Sequence, residues 1–226
     1  MNKNYKTIAD NFVNKMTTLL MLLCFTGIAQ AQLSGNYTID ASKTTGGTNY
    51  ASWSAFASAI GTSGVSGAVK VTVMNDETTS ATVTFNAISG ASSTNTISID
   101  GNGKKLISSA TYEGIAINGA DYVTMTNLTI QKTGTGTTQM GIRFYNNSDY
   151  NMLNGCTIEF TALSSASTLS GAYLAFASSQ TSLTSTSTSN NGSYNTIKNC
   201  VMRTTNSNSP GPAYGIFDQQ GTGSYY

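Results

Sequence analysis

Histidine is absent from the 226 residues, and that absence alone removes several chemistries. There is no histidine general base, no Ser-His-Asp or Cys-His arrangement and no His-ligated zinc. Chemistry based on Lys, Tyr or carboxylate survives. Charge is scarce as well: charged residues make up 9% of the chain and leave a net charge of +1. No basic patch points to nucleic acid, and no block of like charge points to a solvated tail. Ser, Thr, Asn and Gly supply the polarity instead.

The first 31 residues read as an export signal. Lys3, Lys6 and Lys15 form a positive start, Leu19 to Phe25 an apolar core, and Ala29-Gln30-Ala31 a small-residue cleavage site. The apolar run is too short to span a bilayer. The expected organisation is a signal peptide over 1–31, an N-terminal strand and capping helix over 32–67, and repeated β coils over 68–226. The expected location is secreted or at the cell surface, with no membrane span once the signal is removed.

Tyr50 to Ile60 reads as a helix, with Ser52 or Asn49 as its cap. Trp53, Phe56, Ala57 and Ile60 share one face. That face suits a lid over the end of a solenoid core; an aromatic sugar platform is the other reading. Ala68 to Val73, Ala81 to Phe85 and Asn95 to Asp100 alternate as strands do.

From 112 to 202 one pattern is written three times without a gap: Ala120 to Ile130, Ser148 to Ile158 and Gly192 to Met202. Tyr122, Tyr150 and Tyr194 match; so do Leu128, Cys156 and Cys200, and Ile130, Ile158 and Met202. Each copy follows a short apolar pair, Ile115/Ile117, Ile142/Phe144 and Leu174/Phe176. The spacing changes between copies, so strands of fixed length with turns of variable length fit better than a rigid helical repeat. Equivalent strands of stacked coils then pair in parallel at ~4.8 Å around one apolar column. Residues 178–192 are expected to form a mobile turn.

Gly114 to Gly119 running into Val123 to Ile130 resembles the right-handed parallel β-helix of the pectin-lyase-like superfamily. The expected fold is therefore all-β, a right-handed parallel β-helix (solenoid) with an N-terminal capping helix. The order of the segments from Tyr37-Thr38-Ile39 to Asn95-Thr96-Ile97-Ser98-Ile99-Asp100-Gly101 resembles the N-terminal part of secreted Bacteroidetes surface proteins of the type IX secretion kind. The last residues, 221–226, follow directly on a new strand pair. The expectation there is a chain truncated at its C-terminus, or one that associates end to end.

Candidate site residues lie at the repeat corners. Asp121 and Asp149 fall at the same place in consecutive coils, where they could share a cation such as calcium or cap turn amides. Tyr122, Tyr150 and Tyr194 are expected to stack along one edge, as turn support or as a surface for polysaccharide or cell-surface glycan. Asn127 and Asn199 read as left-handed corner residues. Cys156 and Cys200 read as stacked free thiols. Nothing in the spacing of Glu113, Glu159, Arg143 and Arg203 places them together. The expected function is a non-catalytic, adhesin-like or structural β-helix. The alternative is the N-terminal part of a β-helix polysaccharide lyase or glycoside hydrolase with its active site in further coils.

Overall fold

The computed structural model describes residues 31–134, 136, 138–161, 171–181, 183, 191–205 and 211–218, together with Lys15. The expected signal peptide, apart from Lys15 and Ala31, and the final residues 219–226 lie outside the described residues. The described chain is all-β with one short helix. It opens with β1 (Leu33–Ile39), β2 (Asn49–Tyr50) and α1 (Trp53–Ser63). Five rounds of three strands follow. They are β3 (Val65–Val73), β4 (Glu77–Thr79) and β5 (Val83–Asn86), then β6 (Ile97–Asp100), β7 (Lys105–Ser108) and β8 (Glu113–Asn118). Next come β9 (Val123–Thr126), β10 (Thr129–Lys132) and β11 (Met140–Tyr145), then β12 (Met152–Asn154), β13 (Thr157–Phe160) and β14 (Ala172–Phe176). The last round is β15 (Thr196–Lys198), β16 (Val201–Thr204) and β17 (Tyr214–Asp218).

Each round gives one strand to each of three parallel sheets. Sheet A runs β15-β12-β9-β6-β3-β1-β2, sheet B β16-β13-β10-β7-β4, and sheet C β17-β14-β11-β8-β5. The register follows the sequence repeat: Thr124 pairs with Met152 and Met152 with Thr196, while Ile130 pairs with Ile158 and Ile158 with Met202. Alternation along each strand turns one side inward. Val71, Ile99, Met125 and Leu153 form one buried column, and Leu106, Ile130 and Ile158 another. At Gly141 an added Cβ would collide with the Ile158 side chain, so this position packs without one.

The helix begins three residues later than the sequence suggests, because Tyr50 belongs to β2. Ser52 is its N-cap; its hydroxyl accepts the Ala55 amide at 3.0 Å. Glu77 accepts the Trp53 amide at 2.9 Å, which places a carboxylate at the positive end of the helix. Trp53, Phe56 and Ile60 are wholly buried in the same core cluster as the strands. A buried Trp53 does not present its ring to solvent, as a sugar platform would require. The aromatic contacts of this face run from Tyr50 to Phe56 and on to Phe85.

Candidate functional site

The corner from sheet C into sheet A carries the repeated tyrosine. Tyr122, Tyr150 and Tyr194 all have positive φ, 57°, 58° and 58°. A left-handed conformation costs an L-residue about 1–2 kcal/mol. The next corner takes the same conformation with Asn127, Gly155 and Asn199, residue types that tolerate it. At the tyrosine corner the rings offset the cost. Tyr122 and Tyr150 stack at 5.0 Å and 3°, and Tyr150 and Tyr194 at 4.8 Å and 5°. Each such pair contributes about 0.5–1.5 kcal/mol. Both faces of Tyr150 are covered by its neighbours. The ladder therefore presents ring edges, plus the outer face of Tyr194, which is 75% exposed.

Asp121 and Asp149 lie beside this ladder, brought together as their repeat positions suggest. The Asp149 amide donates to Asp121 Oδ1 at 2.7 Å, and the Ser193 amide to Asp149 Oδ1 at 2.6 Å. Each carboxylate caps the next coil. Burial raises the Asp121 pKa, the amide bond from Asp149 opposes that, and the charge of Asp149 adds to it. Calcium takes roughly six to eight oxygens. Among the described residues no group of three or more His, Cys, Asp or Glu gathers to hold a metal. The corner suits a turn cap better than a calcium cage.

Asn151 and Asn195 complete the corner, and the sequence reading passed over them. Asn151 Oδ1 accepts the Val123 amide at 2.9 Å, and Asn195 Oδ1 accepts the Asn151 amide at 2.8 Å. The signal was present, since both directly follow the repeated tyrosine.

The four residues whose spacing carried no placement form two separate pairs, Glu113 with Arg143 and Glu159 with Arg203. Arg143 Nη2 lies 3.0 Å from Glu113 Oε1, and both side chains are buried. Arg143 Nη1 also donates to the carbonyls of Ala177 and Ser178, Gln180 Nε2 donates to Glu113 Oε1, and the Arg143 guanidinium lies 3.6 Å over the Tyr145 ring. Residues 177–181 and 183 thus form a strap over the outside of sheet C, with Leu183 packed against Met140, Ala172 and Ala175. Residues 178–181 and 183 belong to the segment expected as a mobile turn; 182 and 184–190 lie outside the described residues. Nearby, Lys132 is fully buried and donates to the Ala110 carbonyl at 2.6 Å. Burial lowers its pKa to about 8, with Glu113 opposing in part.

Glu159 sits on the outside of sheet B. Arg203 binds it through Nε at 2.9 Å and Nη2 at 2.7 Å, Lys105 Nζ lies at 3.4 Å, and Gln131 also donates to it. Burial works to raise its pKa; Arg203, Lys105 and Gln131 outweigh it and leave the value lowered. Cys156 and Cys200 are free thiols, and burial pushes Cys156 up to about 11. An open cleft of ≈ 320 Å³ beside Tyr194 is lined by Phe176, Ile197, Ser193, Asn195 and Asp218 among others.

Comparison of the chain with protein-family models, curated proteins and solved structures returned no significant match.

Proposed function

We propose that this chain is a non-catalytic, exported surface scaffold, adhesin-like in role, that holds glycan along its tyrosine ladder. In this reading the three parallel sheets form a right-handed parallel β-helix of the pectin-lyase-like kind. Right-handed connection between parallel strands is the strong physical default. The observation that carries the binding role is the ladder itself: three tyrosines stacked in line along one edge, with Tyr150 and Tyr194 exposed.

A non-catalytic role is supported by the acids. Each Asp and Glu among the described residues has a partner in the fold, as Asp40 has with Ser42, Asp76 with the Lys105 amide and Asp100 with the Asn102 amide. Glycoside hydrolysis needs two carboxyl groups facing one bond. Within these coils Lys132 is not available as a lyase base, because its amine is enclosed.

Affinity electrophoresis through gels containing different polysaccharides tests the reading. At least one polysaccharide should retard the wild-type chain, and Tyr194→Ala should run freely while keeping its melting temperature within a few degrees. No retardation by any polysaccharide, or full retardation of Tyr194→Ala, would overturn it.

A further inference from the structure

The three sheets turn three different outer faces to their surroundings. Sheet C is covered by the strap over Glu113 and Arg143. The outer face of sheet B is occupied by Glu159 and the three side chains locked onto it. Among the described residues no segment covers the outer face of sheet A, whose outward side chains are at least partly exposed. Its outward positions form two straight columns, because the strands pair in register from β1 through β15. Along β6, β9, β12 and β15 these are Ser98, Thr124, Met152 and Thr196 in one column, and Asp100, Thr126, Asn154 and Lys198 in the other, all at least partly exposed.

We infer that this face, with the tyrosine ladder as its rail, binds a single extended chain of neutral, β-linked sugars lying along the stack axis; the inference rests on the glycan reading of the ladder. Tyr122, Tyr150 and Tyr194 stand two residues before the outward Thr124, Met152 and Thr196, so ladder and face are one surface.

Three features point to that ligand. The first is spacing. Parallel strands repeat at ~4.8 Å, and the rings measure 5.0 and 4.8 Å apart. An extended β-linked glycan advances by nearly the same distance per sugar, so each coil meets one sugar. The second is spare hydrogen-bonding capacity. The hydroxyls of Ser98, Thr124, Thr126 and Thr196 make no hydrogen bond with the described residues. In the same column as Thr126, Thr38 on β1 donates its hydroxyl to Asn49, and on other parts of the fold Thr82 and Thr161 engage theirs. Sugar hydroxyls supply matching donors and acceptors. The third is charge. The outward positions on β9 and β12 carry none, while Lys70, Asp100 and Lys198 stand in the same two columns on β3, β6 and β15. A chain of uronic acids would bring a carboxylate to every coil and find no cation at β9 or β12.

Calorimetric titration with cello-oligosaccharides of increasing length tests this. Affinity should rise with each sugar and level off at about six, one per in-register strand β1, β3, β6, β9, β12 and β15. Thr124→Glu and Thr126→Glu should each weaken binding of the longest oligomer by at least about tenfold, with the melting temperature unchanged. Thr157→Glu, on sheet B, should leave affinity unchanged. Levelling at about three sugars, the length of the ladder alone, would overturn the face while the ladder reading stood. So would unchanged affinity in Thr124→Glu. Tighter binding of oligogalacturonates would overturn the neutral ligand. If neither oligomer series binds but another polysaccharide retards the chain in gels, the face falls and the ladder stands. If no polysaccharide binds by either method, both fall.

Discussion

Glu113–Arg143 and Glu159–Arg203 each join neighbouring coils from the outside of a sheet, yet they sit in opposite surroundings. Both carboxylates are buried. The Arg143 side chain is 2% exposed and the Arg203 side chain 54%. Arg143 ties down a strap and has no route to water. Arg203 and Lys105 reach solvent while holding one enclosed carboxylate between them. The lesson is that ion pairing alone does not set what a pair contributes. What matters is whether the charge left behind after a substitution can be hydrated or re-paired.

The largest effect should come from Arg143→Ala. It removes the direct ion partner of Glu113, whose remaining cationic neighbour Lys132 is itself enclosed and has a lowered pKa, and should cost about 3–5 kcal/mol in urea unfolding. Replacing both partners, Arg143→Met with Glu113→Leu, should recover most of that loss, because packed apolar groups often equal a buried pair. A double variant as unstable as the single one would break the comparison.

Next is Lys132, which shares the enclosed region. Its folded pKa, about 8, lies below the ordinary 10.5. The unfolded chain therefore binds more protons between those values, and stability rises with pH across that window. The gain by pH 9.5 should be on the order of 1–2 kcal/mol. Lys132→Met should show no such rise in denaturant midpoints measured from pH 7.5 to 9.5.

Arg203→Ala should cost less than about 1 kcal/mol, because Lys105 and Gln131 remain on Glu159. Added salt should shrink the difference further. A loss as large as that of Arg143→Ala would erase the contrast between the pairs. The smallest effect is on the acid side. The lowered pKa of Glu159 gives stability that is present above its ordinary value of 4.5 and lost as pH falls through the folded value. Melting curves of wild type and Glu159→Gln should therefore converge between pH 5 and pH 3.

These pairs also show how far the sequence could be read. The repeat alignment matches the observed register residue for residue through Tyr122, Tyr150 and Tyr194, because in-register stacking requires equivalent positions to coincide. The Glu159–Arg203 pair was legible in the same alignment. It has the separation of Cys156 and Cys200, and Gln131 stands to Glu159 as Leu128 does to Cys156. Glu113–Arg143 was not. Glu113 pairs with Met140 in the ladder, so Arg143 meets it on a diagonal that no repeat offset predicts. The strap was hidden for another reason: small polar residues announce a turn without saying which face it covers. The left-handed tyrosines went unread because the residue type argues against that conformation, and the stacking that offsets it exists only between coils.

The helix α1 has a consequence for how the molecule comes into being. It lies against β1, β2 and β5, so its partners are all in place once Asn86 has been added to the chain. Synthesis runs from the N-terminus, and early segments fold while later ones are still being made. Each later coil then adds to a finished one, across a short stretch of chain and along a template already in register. Assembly of this kind has a direction. An error in one coil leaves the earlier coils intact and disturbs the later ones.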